Sequence, residues 1–530
     1  MMMRRFCHRG DKIMVKFSHG KTEQKFMQRE ENVMMKTLTR VISLICVLAM
    51  LACVFVGCKE GDDNEDPQGT QGTQGQTEAT TQPNGEDLPF NYETGDLLDP
   101  TLNYNNTEFS VYTWKPQSVA EWVENLDDAA TVIEEALYDH MGAAEERLNL
   151  RFGITEVAGR YAEMNDFIAT LENYTTTGLT PDLVCQYSLA ASIGMLKGLY
   201  DNLLTAENLD FDAPWWNDTL VEGNTVNNHL YYITGDISAS VVYTMYGMVF
   251  NKELVSQYNI ESPYQLVRDG NWTYSRFLEL IKDTSTNPNH DHVYTGSGED
   301  VMYGFALPKL AVDAFQTGFG ITAVVKNSQG AWSLSSDYSG ARSADIIDKL
   351  RTLAYENNDV FYDKNAASYP VFNDGNAIFS ILVMQGVEAA IRDYQIKVGI
   401  VPIPKYDATQ KGHYTRLGMT VSLFSVPVGA DMAKSSAVLE ALGSDGYRNV
   451  TPVVFEEVFR GRYADAPEDA EMYLLIRNGI VYDPGNHQNA LSTFSAFRNC
   501  VNENKAWTTY FAGKINSYAA ALKNINAMGA

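Results

Sequence analysis

Asn228-His229-Leu230-Tyr231-Tyr232-Ile233-Thr234-Gly235-Asp236 is followed, after residues 237–240, by Val241-Val242-Tyr243-Thr244-Met245-Tyr246-Gly247-Met248-Val249-Phe250-Asn251-Lys252. This stretch decides the fold. It reads as a strand ending in a turn and then a second apolar strand, with a short polar joint and no helix between them. Upstream, strands and helices alternate. Residues 109–113 (Phe-Ser-Val-Tyr-Thr) read as a strand closed by Trp114-Lys115-Pro116. Val132, Ile133, Ala136, Leu137, Met141, Ala144 and Leu148 recur at helical steps. A strand over 150–157, a helix over 164–174, a strand over 182–186 and a helix through 195–199 follow. That rhythm predicts βαβ units and a parallel sheet. The break at 228–252 is what a chain crossing from one lobe to another would show.

Beyond the crossing, Asn271-Trp272-Thr273-Tyr274 opens a capped helix, and Phe372-Asn373-Asp374-Gly375-Asn376 is a tight turn into a buried strand. Val398-Gly399-Ile400-Val401-Pro402-Ile403-Pro404 is a strand broken by prolines. Residues 417–426 offer a further strand, and helices fill the C-terminal stretch.

The N-terminal part is of another kind. Met34-Met35-Lys36-Thr37-Leu38-Thr39-Arg40 precedes the apolar residues 41–57 and then Cys58. A basic start, an apolar middle and a small residue before cysteine describe a lipoprotein signal peptide, with Cys58 as the lipid-attachment residue. The 17 residues 41–57 are short for a membrane span of ~20 residues. Met50-Leu51-Ala52-Cys53 is a second possible cleavage box, and an uncleaved anchor would leave the same orientation. Met34 or Met35 is the expected start, and residues 1–33 an over-extended reading frame. Residues 58–105 begin with an acidic stretch carrying Gly-Thr-Gln repeats, expected to be a solvated tether.

Residues 1–40 carry a charge of +6 and residues 58–100 carry −10, which leaves −23 of the total −27 on residues 101–530. That balance argues against nucleic acid and anionic lipid as partners of the folded part. Its only cysteines are Cys185 and Cys500, expected as separate buried thiols.

A search for chemistry returns little. The chain has no His-Glu-x-x-His, Cys-x-x-Cys, Gly-x-Ser-x-Gly or phosphate-loop motif. Gly318-Phe319-Gly320-Ile321-Thr322-Ala323 half matches a dinucleotide fingerprint but follows no clear strand early in a βαβ unit. Asn287, Asn289 and Asp291 alternate like a calcium loop, yet His292 stands where glycine is needed. Paired carboxylates for glycoside hydrolysis need only meet in space, so a cell-surface glycoside hydrolase stays as the alternative.

Taken together, the signal and tether, the Tyr231–Asp236 and Tyr246–Leu254 pair, Trp272–Leu280, Phe372–Ser380 and the 398–410 block resemble the family-1 extracellular solute-binding lipoproteins of ATP-driven sugar importers, of the Gram-positive type. The resemblance implies an α/β fold of periplasmic-binding-protein type II: two lobes, a multi-strand hinge and a ligand cleft between them. It divides the folded part into lobe 1 (106–238 and 416–452) and lobe 2 (239–415 and 453–530). It implies a monomer that captures a carbohydrate, an oligosaccharide, and passes it to membrane permease subunits, without catalysis or cofactor. Service to a sensor kinase is the other form of the same reading.

Sugar rings lie on aromatic faces while planar polar groups take their hydroxyls, and in open parallel sheets such groups stand beyond strand ends. The expected ligand contacts are therefore Trp114, Gln186, Tyr187, Asp236, Tyr243 and Gln385. Trp215, Trp216 and Trp272 are expected to be structural.

Overall fold

The computed structural model describes residues 90–529 apart from 117–118, 288–293, 295, 297–300 and 365–369. The strands among these are β1 Thr107–Trp114, β2 Leu150–Val157, β3 Leu183–Tyr187, β4 Tyr246–Asn251, β5 Tyr303–Pro308, β6 Val324–Lys326, β7 Trp332–Leu334, β8 Val360–Asp363, β9 Ala377–Val383, β10 Val398–Val401 and β11 Ser422–Ser425. They form two main sheets, ordered β11-β3-β1-β2 and β10-β4-β9-β5-β8, and a small β6-β7 hairpin. Each main sheet is mixed. β1, β2 and β3 run parallel with β11 reversed at one edge, and β4 runs against both β9 and β10 while β5 lies parallel to β8 and β9. The fold is the expected two-lobed α/β architecture.

Local chemistry explains the first lobe. The Thr131 hydroxyl accepts from the Glu134 amide while the Glu134 carboxylate accepts from the Ala130 amide, starting the helix Val132–Leu148. Asn149 at φ 48° ends it, and β2 begins at the next residue. Ile133, Leu137, Met141, Ala144 and Leu148 are buried, the stripe the spacing implies. The β3 edge is tied to β1 by the Asp182 carboxylate, which accepts from the Ser110 amide and hydroxyl.

The chain passes between the sheets three times. The first passage, between β3 and β4, departs from the two expected strands. Residues 228–236 form no strand, only isolated bridges of His229 to Val226, Ile233 to Phe424 and Gly235 to Trp216, and Ser240–Tyr243 is a helical turn. The cause is polar: the Ser238 hydroxyl accepts from the Ser240 amide and the Thr244 hydroxyl donates to the Ser240 carbonyl, so a turn forms despite the β-forming Val241, Val242 and Tyr243. The second passage leads from β10 to β11. It shortens the strand expected over 417–426, because Thr415 and Gly418 bond to Gly479 and Thr244 instead. The third is the helix Met432–Asp445, packed on Val132–Leu148, which continues in the wider π register through Gly446–Val450 and Pro452–Arg462. The helix Pro467–Asn478 then packs against β10.

Three smaller expectations shift. The helix expected through 195–199 is Ser188–Leu196, with Gly198 at φ 69° just beyond it. Gly318-Phe319-Gly320 is a helix end with Gly320 at φ 76°, which leaves no phosphate-binding turn there. The 372–376 turn is as expected, with Gly375 at φ 79° leading into buried β9. No helix among the described residues is long and apolar enough to cross a membrane. The apolar run 41–57 and Cys58 lie outside the described residues.

Candidate ligand-binding cleft

The strand pairing fixes which ends face the cleft. Trp114 pairs with Val157 at the carboxyl ends of β1 and β2, and Tyr187 closes β3 opposite Ser422. In the second sheet Tyr246 opens β4 opposite Val383, and Pro308 pairs with Asp363. Tyr187 meets the second lobe. Burial pushes its hydroxyl pKa well up, and its charged and titrating neighbours are Tyr161, Arg498 and Tyr246.

Next to Tyr246 lies a buried polar constellation. Arg498 pairs with Asp313 at 2.9 Å. Arg416, 2 % exposed, donates to the carbonyls of Asp313 (3.2 Å) and Phe494 (2.9 Å). Burial raises the Asp313 carboxyl pKa, with Arg498 and Arg416 pulling it back. A loop then spans to the first lobe: Gln488 donates to the Tyr232 hydroxyl (2.8 Å) and the Asn489 amide to Ser192 Oγ (3.0 Å). Asn486 faces Gln316 and Thr317 of the helix Val312–Gly318. His487 stacks on Tyr482 with ring centres 4.2 Å apart. Burial first, and then the nearby Arg416, push its pKa down to about 3, so it stays neutral.

Six side chains of this constellation keep a buried polar atom with no hydrogen-bond partner: Asp313 Oδ1, Gln316 Oε1, Tyr482 Oη, His487 Nδ1, Gln488 Oε1 and Arg498 Nη1. Each such atom costs ~1–3 kcal/mol until something bonds to it. Three of the six can only accept; Arg498 Nη1 can only donate, and it lies in the ion pair with Asp313 without a hydrogen bond of its own. The arrangement therefore suits a molecule rich in hydroxyls, which can donate to the acceptors and accept from the donor. Among the described residues no group of three His, Cys, Asp or Glu could hold a metal ion. Asn289, Asp291 and His292 of the calcium-loop reading lie outside the described residues.

Of the residues expected at the ligand, Tyr187 and Gln385 stand at facing strand ends. Gln385 is half-buried and is the second residue of the helix Met384–Arg392, directly after β9. Trp114 is fully buried inside the first lobe, its Nε1 donating to Ser422 Oγ at 2.9 Å. Gln186 is also fully buried and uses both ends of its amide, donating to Ser425 and accepting from the Tyr200 hydroxyl. Tyr243 is buried with its ring edge-on to Phe459. Asp236 accepts from Thr451 and pairs with Arg477 at 3.0 Å. It lines a separate cavity of about 340 Å³ with Trp215, Trp216 and Arg477, at the hinge. Trp216 donates to Glu440 and Trp272 to the Pro402 carbonyl, the structural roles expected of them. Cys185 and Cys500 are free and buried.

Sequence reasoning missed Asp313, Gln316, Arg416, Gln488 and Arg498. The available signal was Asp483-Pro484-Gly485-Asn486-His487-Gln488-Asn489, a polar run between apolar segments.

No family model and no curated protein matches the chain. Solved structures do. The galacto-N-biose/lacto-N-biose I-binding protein of the ABC transporter from Bifidobacterium longum, in complex with lacto-N-biose, aligns with a TM-score of 0.52 at 13% identity, covering 80% of this chain and 98% of that one. The cyclic α-maltosyl-1,6-maltose binding protein from Arthrobacter globiformis aligns with a TM-score of 0.51 at 14% identity, over 79% and 100%. The GacH receptor of Streptomyces glaucescens, solved unliganded and with acarbose, gives 0.50 at 14%, over 79% and 99%. At such identities the likeness is one of fold.

Proposed function

We propose that this chain is an extracellular solute-binding lipoprotein that captures a neutral carbohydrate, an oligosaccharide, by closing two lobes on it, and delivers it to an ATP-driven importer. The observation that carries the reading is the constellation between the lobes, where buried acceptors without partners stand beside tyrosines at facing strand ends. Sugar hydroxyls would supply the donors those atoms lack, and a ligand touching both lobes favours the closed arrangement by its differential affinity. The structural neighbours are named as binders of lacto-N-biose, of a cyclic maltosyl-maltose and of acarbose, which supports the carbohydrate class and a binding role without turnover.

Attachment through Cys58 to the outer face of the cytoplasmic membrane, a monomeric state and permease subunits as partners belong to the same proposal. The signal-like order of residues 34–58 and the acidic stretch after it support them.

The test is a thermal-shift screen of mono- and oligosaccharides, followed by calorimetry and product analysis on every hit. At least one neutral oligosaccharide should raise the melting temperature and bind without being consumed. Steady release of a shorter sugar would put the hydrolase in its place, and a panel without any hit would sink the carbohydrate class.

A further inference from the structure

Arg477, at the end of the helix Pro467–Asn478, is a hub on the hinge. Its guanidinium pairs with Asp236 of the first passage at 3.0 Å and donates to the Tyr92 hydroxyl at 2.8 Å. It also lies 4.0 Å over the Phe90 ring and 4.8 Å over that of Phe455 in the third passage. Tyr92 in turn donates to Glu456 at 3.0 Å, and its ring packs 5.1 Å from Tyr447. Both partners belong to the π-wound third passage. A few residues on, the same segment is fixed to the first lobe: Arg147 donates to the Leu98 carbonyl at 3.0 Å and pairs with Asp96, and Leu98 is buried.

We propose that residues 90–98 form a strap across the hinge that sets the angle between the lobes, with Tyr92 and Arg477 as its positioning residues. The strap touches the third passage, the second-lobe helix end and the first lobe, and Arg477 links it to Asp236 of the first passage, so one short segment is connected to all the parts that must rotate for the cleft to open. Arg477 has one guanidinium to share among Asp236, Tyr92 and two rings, and only one lobe angle presents them all together. Two cation–π contacts and charge-assisted hydrogen bonds at a side chain only 10% exposed bias the equilibrium toward the described arrangement. This inference rests on the reading of the cleft as a site that opens and closes.

The experiment uses the full chain without any sugar. Amide hydrogen exchange is read at Asn489, whose N–H donates across the cleft to Ser192, and at Val111 and Phe379 inside the two sheets. Tyr92→Phe removes only the hydroxyl, and Tyr92→Ala removes the ring as well. Exchange at Asn489 should rise about threefold or more in Tyr92→Ala and by less in Tyr92→Phe, with Val111 and Phe379 unchanged. Unchanged exchange at Asn489 in both variants overturns the strap. So does an equal rise at all three positions, which would mark Tyr92 as a general packing residue. Failure of every sugar to bind the wild-type protein bears on the carbohydrate reading alone, because this measurement needs no ligand.

Discussion

Glu121 carries the most unusual residue-scale environment. It is 6% exposed, bonded to Ser238 Oγ at 2.8 Å, and Ser238 in turn meets Ser240 at 2.6 Å, whose Oγ accepts from the Ser422 amide. Burial pushes its pKa up to about 7, with hydrogen bonds from Ser422, Ser238 and Ser240 holding back part of the rise. Glu440, bonded to Trp216, is pushed to about 7 by burial as well. A carboxyl whose folded pKa lies above its unfolded value adds stability that is fully present below the unfolded pKa and disappears as pH rises through the folded one. Two histidines act oppositely. Burial lowers His413 to about 4 and His487 to about 3, so their neutral forms favour folding above about pH 6.5 and that contribution falls away in acid. The wild-type pH profile alone therefore mixes opposing slopes, and a difference isolates one group. Glu121→Gln should gain stability relative to wild type as pH rises from about 5 to about 7.5, by up to about 3 kcal/mol. Melting curves of both proteins across that range check it, and a pH-independent gap would remove Glu121 from the account.

At the scale of elements, the third passage shows how closely the hinge is packed. A Cβ on Gly446, where the helix changes to π register, would lie 2.1 Å from the Asp236 carbonyl oxygen of the first passage. Gly446→Ala should cost ~1–3 kcal/mol, because backbone on one passage must move away from the other. Gly513, exposed within the helix Trp507–Ile525, has nothing within 4 Å of the corresponding position, and Gly513→Ala should stabilise by ~0.5–1 kcal/mol. Urea unfolding of the two variants reads both signs at once; a neutral Gly446→Ala would mean the passages do not touch in solution. The same contrast explains what the sequence made legible. β3 and β9 are largely apolar and buried, and β1 and β2 alternate apolar with polar residues, so their own side chains specify them. Val241, Val242 and Tyr243 favour a strand by propensity, yet serine and threonine hydroxyls and the closeness of Gly235 to the Trp215 carbonyl impose a turn. For the π register the sequence holds one cue, Pro452, which has no backbone N–H to give to the α ladder.

For the whole molecule, the two-lobed plan was legible because its break in rhythm and the order of its blocks are properties of long stretches. The cleft was legible only in part. Tyr187 closes one strand and Gln385 stands just past another, whereas Asp313, Arg416, Gln488 and Arg498 come from four separate segments brought near one another only in the folded chain. Trp114 illustrates the other limit: a strand-ending tryptophan is compatible with ligand stacking, and which way the ring turns depends on Ser422, some 300 residues away. The two cysteines offer a test of the plan as a whole. Cys185 lies in β3 of the first sheet, and Cys500 lies in the helix Ala496–Asn502, which packs on the second-lobe helix Val312–Gly318. Both thiols are buried, and desolvation pushes their pKa values up, that of Cys500 to about 12. Neither should react with iodoacetamide in native buffer, because the thiolate is scarce and the sulfur out of reach. In urea without reductant both should react, since no bond joins them. Peptide mass spectrometry after pulses of labelling at rising urea then reports each lobe by its own cysteine. Coincident midpoints are expected, because three passages and the strap bind the lobes into one cooperative unit. Midpoints that separate by more than the error of the fits would show lobes that unfold independently, and a need for reductant would join Cys185 to Cys500 against the structure.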